Sequence, residues 1–226
     1  MIDQNFQFIL FLVQLGLVYF ISQATIREFF AGLRRFIKND HTVALIVSFI
    51  YFPGTIIHEV SHLLTALLLM LKVHEIKIFP TIGEKEIRLG RVLYERKDPI
   101  RGILVGVAPL FVGLLVFFLL AYFKLFPSEN IFLNVLIGYL VFTISSSMFS
   151  SKQDLVDLLY LIPFFIIIAG MIYVFNVKIE FAIQNKEALA KLASAFSKIN
   201  FFLFISLVIN VLCIFFLKIL QSLGRK

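Results

Sequence analysis

Charge and cysteine are both scarce in this chain. Only 15% of its 226 residues are charged, whereas 60% are hydrophobic. A soluble domain of this size cannot hide so much apolar surface, so the composition indicates a polytopic membrane protein, organised as a single membrane-embedded domain over residues 1–226. The one cysteine, Cys213, lies within an apolar run, which excludes an internal disulfide. The four histidines are too few for a membrane di-iron oxygenase.

Basic residues near the N-terminus are also lacking. The first residues, "MIDQN", carry an acid, and no small-residue cleavage site follows the first apolar run, so we expect a retained helix and not a signal peptide. The net charge of +7 resides in short segments between apolar runs. This placement favours contact with lipid head groups of the bilayer and argues against nucleic acid as a partner.

Six apolar runs meet the length of about 20 residues that a transmembrane helix needs. They cover residues 6–25, 42–71, 100–123, 130–149, 155–175 and 200–220. The predicted fold class is therefore an all-α polytopic membrane protein with about six transmembrane helices. Residues 26–40 place apolar side chains at helical spacing opposite a basic face, which predicts an interfacial amphipathic helix. Residues 72–99 alternate apolar and charged residues around a "TIGE" turn, which predicts a membrane-associated β-hairpin.

The distribution of lysine and arginine predicts the orientation. Of the 21 basic residues, 12 fall on the face that holds the hairpin and the C-terminal tail, and nine fall on the other. By the positive-inside rule we expect a cytoplasmic hairpin and cytoplasmic termini, in the cytoplasmic (inner) membrane.

The second apolar run contains the motif "HEVSH", residues 58–62. Chance placement of the chain's histidines and glutamates gives only about 0.003 matches to H-E-x-x-H. On a helix, His58 and His62 project to the same side and can bind one metal ion, while Glu59 projects beside them and can act as general base on a metal-activated water. The alternative is a buried histidine pair satisfied by the hydroxyls of Thr55 and Ser61. Three ionisable groups within a membrane span would then cost several kcal/mol without a purpose.

The residues around the motif raise two further expectations. Pro53 and Gly54 predict either a kink or a complete break in the helix, and after a break Thr55 would cap the helix that carries the histidines. His41 and His74 lie near the ends of the run, too far along it to join the site, and are expected at the interface.

A catalytic zinc site needs a third protein ligand. Asp154 and Asp157 lie at the junction of the fourth and fifth runs, where N-capping and stabilisation of the helix dipole are the simpler explanation. Because two histidines await a partner, we favour Asp154 and keep Asp157 as the alternative third ligand. A zinc protease with a glutamate ligand would use Glu180 or Glu187.

Taken together, "HEVSH", the hairpin, the "GVAPLFVG" of the third run and the later aspartate resemble the site-2 protease family of intramembrane zinc metalloproteases. The resemblance covers residues 50–165. It implies one Zn²⁺ ion held by His58, His62 and Asp154, Glu59 as general base, and a cytoplasmic hairpin that receives the substrate. The chain departs from the family in having "APL" for its usual Gly-Pro-Leu and "QDLVD" for its Leu-Asp-Gly ligand motif.

The predicted function is hydrolysis of peptide bonds in membrane-protein substrates. The alternative is a non-proteolytic metal-binding membrane protein that binds partners or transports a solute. We further expect a water-filled cavity that opens toward the hairpin, with close packing at Gly102, Gly106 and Gly113 around it. Serines 145–147 are candidate donors to an oxyanion, although serines in membrane helices often bond back to the backbone.

Overall fold

The computed structural model describes residues 4–77, 81–82, 87–88, 90–95, 97–149, 152–174 and 186–223. Within these ranges the chain is mostly helical. The helices are α1 (Gln4–Phe36), α2 (Asp40–Leu68), α3 (Pro99–Tyr122), α4 (Ile131–Ser147), α5 (Lys152–Val174) and α6 (Lys186–Leu223). The strands are β1 (Val73–Lys77), β2 (Thr81–Ile82), β3 (Ile87–Arg88) and β4 (Arg91–Tyr94).

The first helix is longer than the sequence predicts. The expected span 6–25 and the expected amphipathic helix 26–40 are one element, because α1 runs without a break to Phe36. The apolar side chains of its second part face protein: Phe29, Phe30 and Leu33 pack against a cluster around Tyr51 and Phe142. The predicted boundary between a span and a separate amphipathic helix is therefore absent, and part of the apolar face of residues 26–33 packs on protein.

Helix α2 continues through Pro53. It begins after Asn39, whose side chain accepts a hydrogen bond from the backbone N–H of His41 at 2.9 Å, and it ends at Leu68. The complete break that was one of two alternatives does not occur, and the Thr55 hydroxyl donates to the carbonyl of Tyr51 instead of capping a helix. Gly54 serves packing, because a methyl group there would overlap the Thr143 carbonyl of α4.

The predicted hairpin is present in the described part of residues 72–99. Strands β1 and β4 pair in antiparallel fashion from Val73 opposite Tyr94 to Lys77 opposite Arg91, and β2 and β3 form a second short ladder. The base of the hairpin packs on the bundle, with Val73 and Tyr94 against a cluster of Ala66, Leu71 and Val105. This contact fixes the hairpin at the end of α2 that follows the histidine motif.

Helices α2 and α3 form the centre of the bundle. Half of the apolar part of α2 and 44% of that of α3 are buried, against 22% for α1 and 17% for α6. Helix α2 contacts α3 and α4, and α3 also contacts α5. Close approach occurs where glycine permits it: Gly106 lies against Asp157 and Gly113 against Met148, whereas Gly102 has open space around it.

Helices α1 and α6 lie side by side in parallel. Near one end Asn200 donates to the carbonyl of Gln7 at 2.9 Å, and near the other Gln221 donates to Glu28 at 3.1 Å. The sequence separation is 193 residues at both contacts, so the two helices keep one register over their whole contact. The expected span 200–220 and the segment before it are therefore one helix, α6.

Four described helices are long and apolar enough to cross a membrane, namely α1, α2, α3 and α6. Helix α4 has 17 residues and is shorter than a typical span. Several long apolar helices agree with a multi-pass membrane protein, but the predicted six spans are not confirmed.

Candidate metal centre

The two histidines of the motif lie on one buried face of α2. His58 and His62 are one helical turn apart, with exposed fractions of 3% and 9%, and their ring centroids are separated by 4.6 Å. Their Nε2 atoms approach to 3.1 Å. The helix thus aims both imidazoles at one point, as the four-residue spacing predicts.

Asp154 completes the cluster from the first turn of α5. Its Oδ2 atom lies 3.2 Å from His58 Nε2, and its Oδ1 atom lies 3.5 Å from His62 Nε2. The carboxylate is 8% exposed. His58, His62 and Asp154 form the one group of three or more potential ligands found among the described residues, each offering an atom within 4.8 Å of the others.

A backbone carbonyl of α3 fixes the tautomer of His62. Its Nδ1 atom lies 2.8 Å from the carbonyl oxygen of Val105, which can only accept, so Nδ1 carries the proton. The Nε2 atom of a neutral His62 is then a bare lone pair that faces Asp154 Oδ1. Two lone pairs at this distance repel unless a cation or a proton lies between them. A ring N–H that donates to a backbone carbonyl is typical of metal-bound histidine.

The separations among the three side chains fit a tetrahedral metal ion. Zinc bonds of about 2.0–2.1 Å to nitrogen and oxygen place two tetrahedral ligands about 3.3 Å apart. The observed separations are 3.1, 3.2 and 3.5 Å. The donor set of two imidazoles and one carboxylate is one that catalytic zinc sites use. The residues present therefore fit a zinc ion, with room in the ligand set for one further group.

The other candidate ligands lie elsewhere. Asp157 is buried against Gly106 of α3, one turn of α5 beyond Asp154. Glu187 forms an exposed ion pair with Lys191 at 2.6 Å. Glu180 lies outside the described residues. His41 is exposed at the start of α2 and His74 on β1, in keeping with their exclusion from the site.

Glu59 is buried beside the ligands. It lies close enough to His58, His62 and Asp154 for their charges to interact. On its other side is Gly90, immediately before β4, where a methyl group would lie only 2.5 Å from Glu59 Oε1 and 2.8 Å from the carboxyl carbon. The hairpin backbone thus covers the Glu59 carboxylate, and only glycine fits this approach.

The sequence predicted a role for neither Val105 nor Gly90. Val105 acts through its backbone carbonyl. Every residue has such a group, so the residue type does not indicate the role. Gly90 did leave a signal, since an isolated glycine within a strand pattern marks a bulge or a close backbone approach. That the approach is to Glu59 could not be predicted, because this contact depends on how the hairpin packs on the bundle.

Two of the three candidate serines of α4 donate away from the ligands, whereas Ser146 Oγ is buried with no hydrogen-bond partner in the described part of the chain. Ser145 donates to the carbonyl of Phe142 and accepts from Ser206 of α6 at 2.5 Å, and Ser147 donates to Ile144 at 3.0 Å. These hydroxyls bond back along their own helix, which is the simpler of the two expectations.

A void that borders His58, between Pro109 of α3 and Ser147 of α4, is too narrow to admit a water molecule. The water-filled cavity expected beside the motif is not found at this void. Hydrolysis at this centre would need water to enter by another path.

Comparison with known proteins adds no assignment: no family model, no curated protein and no solved structure matches this chain.

Proposed function

We propose that the protein is a zinc metalloendopeptidase that hydrolyses peptide bonds of membrane-protein or peptide substrates within the bilayer. One observation carries the proposal: two histidines and an aspartate converge at tetrahedral spacing, with a buried glutamate beside them on an apolar helix. A purely structural metal site has no need of this glutamate, which follows its first ligand directly in the chain.

His58, His62 and Asp154 would hold the metal ion. When bound, zinc supplies a Lewis acid that polarises a carbonyl oxygen and lowers the pKa of a water ligand toward 7. The Val105 carbonyl keeps His62 in the tautomer that presents a lone pair, and so favours binding without supplying a ligand itself.

Glu59 is the general base of the proposal. Its carboxylate would accept a proton from the attacking water and deliver it to the leaving amine. Gly90 supports this role, because the backbone next to β4 already lies against the carboxylate. Within the described part of the hairpin, β1 and β4 pair only with each other, so a substrate strand could add at an outer edge beside Glu59.

A site within the membrane determines what the substrate must do before cleavage and from which side water can enter. Peptide bonds of a membrane helix are hydrogen-bonded within that helix, so the substrate must unwind locally before it can add to a strand. The abundance of lysine and arginine in residues 72–101 supports a cytoplasmic hairpin, with water entering from that side of the inner membrane.

Metal removal and restoration test this function. The purified protein, reconstituted with a synthetic transmembrane peptide, should cleave the peptide, lose cleavage on treatment with a chelator and regain it with one equivalent of zinc. Cleavage that survives complete removal of zinc would overturn the proposal. The product ends, identified by mass spectrometry, should map within the apolar segment of the peptide.

A non-proteolytic metal-binding protein is the second candidate. Two observations favour it: Gly90 lies against the Glu59 carboxylate, and the void at His58 admits no water. Structural zinc sites are closed, whereas catalytic sites keep an open position. A chain that binds one zinc ion tightly yet cleaves no member of a varied set of membrane peptides would fit this candidate and not the first.

A further inference from the structure

A cavity at the end of α3 away from the metal centre is lined by two lysines and, on its apolar side, by aromatic residues. It has a volume of about 490 Å³ and lies where the end of α3 and the following loop meet the early part of α6. Lys124 and Lys198 line it, together with Ser197, and Phe126, Phe201 and Phe202 form its apolar side.

The two ammonium groups have no carboxylate partner in the described part of the chain. The Lys198 Nζ atom instead lies 5.6 Å from the ring centroid of Phe118 and 5.8 Å from that of Tyr122. These cation–π contacts hold the charge at the cavity while leaving its N–H groups available to an anion. Glu129, the acid of the adjacent loop, does not line the cavity.

The backbone at Lys124 is the one usually taken by glycine. Lys124 follows the end of α3 with a φ angle of 52°, and its N–H donates to the carbonyl of Ala121 at 3.2 Å. Helices commonly end with glycine in this left-handed conformation, because other residues adopt it at a cost. A lysine in this place directs a cation to the rim of the cavity.

The surroundings of the cavity are those of a membrane interface. Tyr122 and Phe123, at the end of the strongly apolar α3, are exposed, and so is Phe201 of α6. Aromatic residues concentrate at the level of the lipid head groups, and lysine side chains at helix ends extend to that level, where they can pair with phosphates.

We propose that this cavity binds an anionic phospholipid. The phosphate of its head group would lie between Lys124 and Lys198, within reach of the Ser197 hydroxyl, and an acyl chain would lie along Phe126 and Phe201. A lysine pair suits a phosphate as two point charges, and the aromatic side distinguishes a lipid from a free anion.

Native mass spectrometry in detergent tests the proposal with phosphatidylglycerol and phosphatidylcholine as probes. The protein should bind phosphatidylglycerol about tenfold more tightly than phosphatidylcholine, and the double variant Lys124→Gln/Lys198→Gln should lose that preference. The control, Lys38→Gln/Lys218→Gln, removes the same charge at two exposed sites outside the cavity and should retain it.

Three results would overturn the proposal. The double variant could keep the preference, the control could lose it equally, or inorganic phosphate could displace the lipid at equal concentration. The second would mean that net charge alone governs binding, and the third that the aromatic side contributes nothing. Zinc stoichiometry measured on each variant reports whether the fold is intact.

Discussion

At the scale of single residues, Asp154 and Asp157 differ by one turn along the same side of α5. Residues three apart on a helix project within about 60° of each other, so periodicity cannot separate them. The two aspartates differ in their position along the axis of α5. Asp154 lies level with the two imidazoles, whereas Asp157 lies against Gly106 of α3. The sequence indicates both aspartates as candidate ligands. Only the axial position of α5 relative to α2 decides which one reaches the histidines.

The substitution Asp154→Asn should weaken zinc binding by about 100-fold or more, because the amide keeps the shape but loses the charge of the ligand. Competition with a chromophoric chelator measures the affinity. Asp157→Asn is the matched control, with the same chemical change one turn away in a buried position, and should leave the affinity within about threefold. Equal losses in the two variants would contradict the assigned ligand set.

Gly90 is the second residue whose role follows from contact. In Gly90→Ala, the new methyl group must displace the Glu59 carboxylate or the hairpin, since it would lie 2.5 Å from Oε1. A shift of about 1 Å in a catalytic group can cost about 100-fold in rate. Cleavage should therefore fall by about that factor while one zinc ion remains bound. Gly102→Ala, at a glycine with open space around it, should cleave at the parental rate.

At the scale of elements, the crossing of α2 and α4 positions the motif. Gly54 lies one turn before His58, and the Thr143 carbonyl occupies the place where a side chain would be. Pro53 precedes it within a continuous helix, so the Pro-Gly pair permits a close crossing and not a break. The Pro-Gly pair indicates an irregular position in the helix. Its role in packing could not be predicted, because the sequence does not show that α4 approaches there.

The substitution Gly54→Ala should destabilise the bundle by about 1–3 kcal/mol, the usual cost of overpacking. The thermal midpoint in detergent should fall by roughly 2–12 °C. Gly16→Ala in α1 adds the same methyl group with no heavy atom within 4 Å, and should leave the midpoint unchanged or raise it slightly, because alanine favours a helix more than glycine does. Unchanged midpoints in both variants would show that the α2–α4 crossing is looser than described.

Local pattern predicted some elements better than others. The histidine motif and the hairpin are confirmed as a helix and paired strands, because hydrophobic periodicity and turn chemistry are local signals. The boundary placed at residues 25–26 was wrong, since no proline or glycine interrupts the helix there. An amphipathic pattern identifies an apolar face but does not show whether lipid or protein covers it. Here neighbouring helices cover part of the apolar face of residues 26–36.

At the scale of the whole molecule, the parallel α1–α6 pair constrains the topology. The first turn of α1 lies beside Asn200, within α6, and the end of α1 lies near the end of α6, where Arg35 donates to the carbonyl of Gln221. If both helices cross the bilayer, Gln4 and Leu223 lie on opposite sides of it. The predicted placement of both termini in the cytoplasm does not fit this arrangement, because a count of charges carries no information about helix pairing.

Cysteine labelling of intact cells tests the arrangement. In a Cys213→Ser background, Asn5→Cys and Ser222→Cys should differ in labelling by a membrane-impermeant maleimide, with one reactive before lysis and the other only after it. Equal accessibility at both positions would contradict a parallel, membrane-crossing pair. Ser128→Cys, in the loop after α3, provides a third point for orienting the bundle.

In the proposed function, Glu59 performs acid–base chemistry at a zinc ion held by His58, His62 and Asp154. The most direct measurement is zinc content together with peptide cleavage in Glu59→Gln, which keeps the shape of the side chain but cannot take a proton. We expect one zinc ion per chain, as in the parent, with cleavage reduced by about 100-fold or more. A variant that binds zinc and cleaves at the parental rate would contradict it.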